Sequence, residues 1–213
     1  MFCYNVNITS AFKSTNNNPE QLLADPSITL EELKQLMIEA NVPVNEYGRG
    51  EAKDIDDLQK EISDGECTIA VAHDGTLTRQ VKPVWVNVLC RLGDGRIMVL
   101  REEKQVFKDG RVRKRNLPSS LGEKLKAGES TDDAALRALK EEIGVIEVTT
   151  MEKVHEESRT FTPPTFPGIK STYSSTFYDV VIPESAYDAE GYVEYQLKKD
   201  NYYVWDQQTP ARE

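Results

Sequence analysis

Residues 119–145, SSLGEKLKAGESTDDAALRALKEEIGV, decide the fold expected for this chain of 213 residues. Within this stretch, Ser130 or Thr131 can cap a helix, and the two aspartates that follow suit its positively polarised first turn. Gly144 stands where a left-handed residue commonly ends a helix. The stretch therefore predicts a helix over residues 131–143, with a glycine-containing loop before it.

Two faces are predicted for this helix. Three aliphatic residues are expected to form its buried stripe: Leu136, Leu139 and Ile143. At roughly 100° per residue, Ala138, Glu141 and Glu142 cluster opposite that stripe, with Ala138 one turn before the two glutamates. Adjacent carboxylates repel each other unless water or a hard cation faces them, and Mg²⁺ and Mn²⁺ prefer carboxylate oxygen ligands. The pair alone is consistent with a solvated helix face or with a metal site.

The residues around this pair resemble the signature of the Nudix hydrolase superfamily. That signature, the Nudix box, reads Gly, five residues, Glu, seven residues, then Arg-Glu-aliphatic-any-Glu-Glu-any-Gly-aliphatic. Seven of its nine specified positions match without a gap: Glu129, Arg137, Leu139, Glu141, Glu142, Gly144 and Val145. A long pattern at fixed spacing is far more specific than a lone glycine-rich loop. The resemblance covers about residues 67–206.

The chain departs from the box at two positions. Glu123 stands in the glycine slot, with Gly122 one place earlier, and Ala138 replaces the first glutamate of the metal-binding trio. The resemblance implies that Mg²⁺ or Mn²⁺ is held by Glu141, Glu142 and the Gly122 carbonyl, with Glu123 as a spare carboxylate that could turn toward the ion. Losing one carboxylate weakens such a site without abolishing it, because Mg²⁺ also takes ligands from water and substrate phosphates.

The resemblance also implies roles around the metal. Glu129 and Arg137 are expected to pair and to hold the loop against the helix, although an ordinary surface ion pair is an equal alternative. The catalytic base is left open among acids of the later strands and loops: Glu156, Glu157, Asp188, Glu190 and Glu194.

The order of elements predicts an α+β fold. From about residue 67 the sequence is rich in β-branched and aromatic residues, and three Asp-Gly pairs predict hairpins with type I′ turns. Strands, one central helix and further strands favour a mixed β-sheet. The resemblance implies the Nudix fold, with the Nudix-box helix packed on that sheet, over residues 66–213.

Residues 1–65 are interpreted as an N-terminal helical extension. The first ~20 residues are polar, with the run STNNNPEQ at 14–21, and predict a loose arm. SITLEELKQLMIEANV at 27–42 and EAKDIDDLQKEISDGE at 51–66 each carry an apolar stripe at helical spacing. Covering the sheet, shaping the pocket and forming a homodimer all remain open as roles for these helices.

The segment REEKQVFKDGRVRKRN at 101–116 is basic and leads into the box. Arg111, Arg113 and Arg115 are predicted to bind substrate, because one guanidinium group can donate to two phosphate oxygens at once. The alternative is a charged hairpin whose arginines face water. Several aromatic residues could stack on a base: Phe161, Phe166, Tyr173, Tyr178, Tyr202, Tyr203 and Trp205.

Composition narrows the classes of protein. The net charge of −10 opposes non-specific nucleic-acid binding, and three scattered cysteines with no C-x-x-C pair argue against a structural zinc site. No apolar run approaches the ~20 residues of a membrane helix, and the start lacks a secretory signal. A cytoplasmic protein without a membrane partner is expected, although a removed targeting segment would escape this test.

Two functions follow from the resemblance. The first is metal-dependent hydrolysis of a diphosphate linkage in a nucleoside diphosphate derivative or a similar small phosphorylated substrate. ADP-ribose, dinucleoside polyphosphates, inositol pyrophosphates and a capped RNA 5′ end are open as substrates. The alternative, favoured by Ala138 and the altered loop, is a pseudoenzyme, a binding module of the same fold that senses a phosphorylated ligand or partner without cleaving it.

Overall fold

The computed structural model describes residues 12–14, 21–72, 74–115, 117 and 119–208. The chain divides into two compact units. The first comprises Met1–Lys82, Leu125–Gly128 and Ser158–Ser174, and the second comprises Pro83–Lys124, Glu129–Glu157 and Ser175–Glu213. The domain boundary after residue 65 stays a prediction. The loose arm predicted over the first ~20 residues lies outside the described residues except at Phe12–Ser14, which form a strand. No helix in the described part of the chain is both long and apolar enough to cross a membrane.

The first unit contains the two helices predicted near the N-terminus, which are confirmed. They are α1 (Leu30–Glu39) and α2 (Ile55–Ser63), with a 3-10 turn at Val44–Glu46 between them. The strands are β1 (Phe12–Ser14), β2 (Gln21–Ala24), β3 (Cys67–Ala72) and β4 (Leu77–Val81). They pair in chain order as antiparallel neighbours, and residues 170–173 add to β4 in the parallel direction.

A capping box begins α1, and an apolar face anchors it. The Thr29 hydroxyl accepts the backbone N–H of Glu32 at 3.3 Å, and the Glu32 carboxylate accepts that of Thr29 at 2.9 Å. Both bonds satisfy N–H groups that the first turn of a helix leaves without partners. Three residues of the predicted stripe are buried in the core of this unit: Leu33, Leu36 and Met37.

The first unit also buries an ion pair. The guanidinium of Arg79, on β4, donates to the Glu61 carboxylate of α2, and both side chains are almost fully buried. Lys53 donates to the other oxygen of Glu61 at 2.7 Å. The Arg79 guanidinium lies 4.3 Å from the centre of the Phe166 ring, and it donates to the Tyr173 hydroxyl at 3.3 Å. The charge of Arg79 is thus balanced by Glu61 inside the core.

The second unit contains a mixed sheet and one α-helix, as predicted. Its elements are β5 (Pro83–Arg91), β6 (Ile97–Phe107), β7 (Val112–Lys114), β8 (Leu121–Lys124), α3 (Thr131–Ile143), β11 (Tyr192–Tyr195) and β12 (Lys199–Gln207), with a 3-10 turn at Glu184–Ala186. Two strands, β9 (Thr150–Phe161) and β10 (Lys170–Ile182), have residues in both units. The central order is β10-β5-β6-β12-β11, in which β10 and β5 are parallel and the other neighbours are antiparallel. Outside that order, β7 pairs with β6, β8 with β5 and β9 with β10.

The three predicted Asp-Gly hairpins are confirmed, but their turn type differs from the prediction. In each, the glycine alone takes a positive φ, of 84°, 89° and 90° for Gly75, Gly95 and Gly110. Each preceding aspartate accepts the backbone N–H two residues ahead through its own carboxylate. This side-chain bond keeps the aspartate at negative φ, so that only the glycine occupies the left-handed region.

The helix α3 is confirmed at residues 131–143, with a different buried face. The Ser130 hydroxyl accepts the backbone N–H of Asp133 at 3.1 Å, and Gly144 ends the helix at a φ of 70°. The prediction that Leu136 is buried is wrong, because its side chain is 39 % exposed. The buried face consists of Ala134, Ala135, Ala138, Leu139 and Ile143, so the prediction that Ala138 lies opposite the buried face is also wrong. Small alanines on this face let the helix lie close to the strands it contacts, β5, β8 and β11.

We expect Glu61→Gln to lower the free energy of unfolding by about 3–5 kcal/mol, because it leaves the buried Arg79 charge unbalanced. Denaturation in urea measures the change. The control is Asp64→Asn, which removes the exposed ion pair between Lys60 of α2 and Asp64, the residue after the helix. This change should leave the free energy of unfolding unchanged. Equal midpoints for the two variants would contradict a buried, charge-balanced Arg79.

Candidate functional site

Arg137, on α3, bonds residues at both ends of the loop between β8 and the helix. Its Nε and Nη2 atoms donate to the two carboxylate oxygens of Glu129 at 2.7 and 2.9 Å. Nη2 also donates to the backbone carbonyl of Lys124 at 2.8 Å. The expected pairing of Glu129 with Arg137 is therefore present, and a paired guanidinium of this kind orients neighbouring residues more than it reacts.

The same guanidinium binds two of the residues predicted as metal ligands. Nη1 of Arg137 lies 2.9 Å from Oε2 of Glu123 and 3.3 Å from Oε2 of Glu141. The other Glu123 oxygen accepts the backbone N–H of Lys124 at 2.8 Å. Both oxygens of Glu123 thus have partners, and Glu141 is half exposed. A metal at these carboxylates would have to compete with Arg137.

Gly122 is fixed by the strand opposite. It lies in β8, in register with Trp85 of β5, and a Cβ atom at this position would lie 2.4 Å from Cζ3 of the Trp85 ring. No side chain fits there unless the ring moves, which explains why glycine stands at 122. The proposed role of its carbonyl as a metal ligand stays a prediction.

Glu142 differs from its neighbour on the helix. Its Oε2 accepts a hydrogen bond from the Tyr203 hydroxyl at 2.5 Å, while its Oε1 is buried with no hydrogen-bond partner within the described residues. The pKa of Glu142 is raised to about 8. Burial is the largest cause, the bond from Tyr203 acts in the opposite direction, and the charges of nearby carboxylates add to the increase. Those carboxylates are Glu194, Glu123 and Glu102.

An irregularity between β6 and β12 surrounds Glu142 with polar side chains. The register shifts between Tyr202 and Tyr203, so that Tyr202 faces Lys104 and Tyr203 faces Glu102. Bulges of this kind re-aim side chains and are frequent next to active sites. Four residues of β6 and β12 are buried here: the polar residues Glu102, Gln105 and Asn201, and the aromatic residue Tyr203.

Two of these residues were missed by the sequence analysis. Glu102 accepts from Nε of Arg115 at 3.2 Å through Oε2, and Asn201 donates to Glu194 at 2.5 Å through Nδ2. Glu102 Oε1 and Asn201 Oδ1 are buried without a partner in the described part of the chain. Alternation along β6, from Met98 through Leu100 to Glu102, was the signal that could have identified a buried glutamate.

Among the five acids considered as the base, Glu194 lies beside the box. It is on β11, in register with Asn201, and its charge contributes to the raised pKa of Glu142. Glu156 forms an exposed ion pair with Lys153. Asp188 accepts the backbone N–H of Glu190 in an exposed turn. Glu157 lies on β9.

The three predicted phosphate-binding arginines have different surroundings. Arg111 donates to the Asp109 carboxylate at 2.7 Å and lies over the Phe107 ring. Arg115 is partly buried against Glu102, next to the box. Arg113, on β7, is exposed, and the described residues provide no ion-pair partner for it. The hairpin therefore neutralises much of its own charge. Of the aromatic candidates, Phe166, Tyr178 and Tyr203 are buried, which indicates packing roles.

The side chains around Glu142 are of types that bind a divalent cation, although they are not arranged as a complete set of ligands. Among the described residues, no group of three or more His, Cys, Asp and Glu side chains is arranged to hold a metal ion. Carboxylate and amide oxygens are nevertheless the ligands that Mg²⁺ and Mn²⁺ prefer. A cation would also favour the ionised form of Glu142 that burial disfavours. The unpartnered Oε1 of Glu142 is the atom that fits such an ion best.

Comparison with solved structures finds several similar proteins of low identity. The Caenorhabditis elegans Ap4A hydrolase is 12 % identical, with 59 % of this chain and 79 % of that chain covered and a TM-score of 0.35. The NUDIX domain of Shewanella oneidensis NrtR in complex with ADP ribose is 14 % identical, with 59 % and 71 % covered and a TM-score of 0.36. A MutT/nudix family protein from Enterococcus faecalis is 18 % identical, with a TM-score of 0.33; 59 % of this chain and 43 % of that chain are covered. No curated protein matches the sequence.

Comparison with protein families gives one match that includes the site. The model of the NUDIX domain matches residues 81–194, more than half of the chain. This range contains the box helix, the arginine that joins it to β8, and Glu102 on β6. The chain therefore belongs to the NUDIX domain family.

Proposed function

We propose that this protein hydrolyses a diphosphate linkage in a nucleoside diphosphate derivative and requires Mg²⁺ or Mn²⁺. The observation that carries the proposal is Glu142, a carboxylate of the box with one oxygen held by Tyr203 and the other buried without a partner. A buried carboxylate oxygen without a partner is costly unless a ligand supplies positive charge or a hydrogen bond. Family membership supports the same reaction class.

Four residues would hold the cation in this proposal: Gly122 through its carbonyl, Glu123, Glu141 and Glu142. When bound, a divalent cation neutralises the diphosphate oxygens and lowers the pKa of water. Tyr203 orients Glu142 by donating to Oε2. Arg137 positions the ligands without touching the substrate, because it contacts Glu123, Glu129 and Glu141 at once.

We further propose Glu194 as the general base. The side-chain amides of Gln196 and Asn201 donate to its two oxygens at 2.6 and 2.5 Å, which fixes the orientation of the carboxylate beside Glu142. Glu194 would take a proton from the attacking water at a carboxylate oxygen. The water oxygen then bonds to phosphorus as the bond from phosphorus to the bridging oxygen breaks, and the departing phosphate keeps that electron pair.

The substrate class is supported by two arginines near the box. Arg113 is exposed and without an ion pair within the described residues, and Arg115 lies next to Glu102. Both are positioned on β7 or directly after it, so a phosphate chain bound at the box could extend along this hairpin. ADP-ribose, dinucleoside polyphosphates, inositol pyrophosphates and capped RNA form the panel on which the substrate is to be identified.

Replacing Glu142 by Gln is expected to lower metal-dependent turnover of the best panel substrate by about 100-fold or more, because a neutral amide binds a hard cation poorly. Phosphate release in Mg²⁺ and in Mn²⁺ measures the effect. The matched control is Glu147→Gln, an exposed acid just beyond the box, which should keep wild-type turnover. Wild-type turnover in Glu142→Gln would exclude the assignment.

Replacing Glu194 by Gln should lower kcat by about 100-fold while leaving KM near that of the wild type, since loss of a base affects proton transfer rather than binding. Glu190→Gln, in the exposed turn before β11, is the control. A larger loss in Glu190→Gln than in Glu194→Gln would transfer the role of base to Glu190.

The second candidate function is a binding module without hydrolysis. The observation that favours it is that Arg137 already neutralises Glu123 and Glu141, while Ala138 supplies no carboxylate. For this function, a thermal-shift screen of the same panel would show stabilisation by a phosphorylated ligand, with no metal-dependent release of phosphate. Turnover by the wild-type protein would exclude it.

A further inference from the structure

We propose that Glu102 supplies the carboxylate that the box lacks at Ala138, and that Glu102, Glu142 and Asn201 together provide the oxygens of one divalent cation site. This inference rests on the proposed function and adds ligands from β6 and β12 to it. It assigns to Glu102 a role outside the box, on a strand that the helix signature does not include.

Three buried oxygens of the second unit lack hydrogen-bond partners in the described part of the chain. Within the described residues, four buried side-chain nitrogen or oxygen atoms lack a hydrogen-bond partner, and three of them are Glu102 Oε1, Glu142 Oε1 and Asn201 Oδ1. The fourth, Arg79 Nε, belongs to the first unit. With both carboxylates ionised, all three oxygens are acceptors, so no hydrogen bond among them can satisfy them. Their shared need is a donor or a positive charge.

The register of the strands is the second line of argument. Tyr203 stands opposite Glu102 in the β6–β12 pair, and its hydroxyl donates to Glu142 on α3. Asn201 lies two residues before Tyr203, on the same face of β12, and both are buried. Tyr203 therefore connects the strand position of Glu102 to the helix position of Glu142.

Burial of Ala138 is the third line of argument. Its side chain is fully buried one turn before Glu142, on the face of α3 that contacts the strands. A glutamate there would enter the same buried region. Glu102 stands opposite Tyr203, whose hydroxyl donates to Glu142 at 2.5 Å, so both glutamates are neighbours of one buried tyrosine.

Arg115 leaves the required oxygen of Glu102 unoccupied. It donates to Oε2 through Nε, and Oε1 remains buried without a partner. A purely structural ion pair is the competing interpretation of this contact. That interpretation predicts that loss of the Glu102 charge changes stability alone, whereas a ligand role predicts a change in metal affinity.

Titration of the full-length protein with Mn²⁺, followed by electron paramagnetic resonance of the free ion, tests the inference. Glu102→Gln is expected to raise the Kd for Mn²⁺ by about tenfold or more. Glu103→Gln is the matched control, because Glu103 is the next residue of β6 and its side chain is 42 % exposed. Circular dichroism in EDTA establishes that each variant is folded, and Glu102→Asp, which keeps the charge, should bind more tightly than Glu102→Asn.

Glu102→Gln with the Kd of the wild type would overturn the inference, as would equal Kd values for Glu102→Asp and Glu102→Asn. A folded Ala138→Glu, Glu102→Gln double variant is expected to regain Mn²⁺ affinity, and a Kd no better than that of Glu102→Gln would overturn the replacement of the box glutamate. Failure of the proposed function alone would give a different result: Mn²⁺ binds with a Kd that depends on Glu102, but no panel substrate is hydrolysed. A wild-type protein that does not bind Mn²⁺ would overturn both.

Discussion

The guanidinium of Arg137 is the contact on which the arrangement of the box depends. It makes short contacts with the carboxylates of Glu123, Glu129 and Glu141 and with the Lys124 carbonyl. The carboxylates it binds hold the pKa of Arg137 well above its ordinary value, with the bond to Glu129 as the largest cause. A permanently charged, planar donor set of this kind can hold β8 and α3 in one arrangement, which an ammonium group could not do as well.

Arg137 also separates the acids of the second unit into two groups. Glu123, Glu129 and Glu141 share its single positive charge, which offsets part of their combined negative charge. Glu142 is held by a neutral tyrosine, and the ammonium group of Lys199 acts on it only electrostatically. The box thus has one side that Arg137 organises. On its other side, three carboxylates (Glu102, Glu142 and Glu194) outnumber the nearby Lys199 and Arg115, and a cation gains most there.

Sequence reasoning succeeded where local chemistry decides the structure. The caps at Ser130 and Gly144 set the ends of α3, and the Asp-Gly pairs set the hairpins, because these effects act within a few residues. It failed for Leu136, whose exposure is decided by which face of the helix the strands contact. It also missed Glu102. Alternation along β6 places this residue inward, but what it faces depends on the pairing of β6 with the distant strand β12. Family membership followed from the spacing of the box, but the surroundings of Ala138 did not.

The exchange of a box glutamate for alanine has an electrostatic reason if Glu102 is a ligand. Every buried acceptor without a partner costs about 1–3 kcal/mol, and folded domains are stable by only about 5–15 kcal/mol. A glutamate at 138 beside Glu142 and Glu102 would bury a third carboxylate in the metal-free protein. Alanine at 138 with glutamate at 102 keeps the number of buried carboxylates here at two, Glu102 and Glu142, and adds the neutral amide oxygen of Asn201 to the proposed ligands. Repulsion between buried carboxylates is then lower in the metal-free fold, and the two negative charges of Glu102 and Glu142 still equal the charge of a divalent cation.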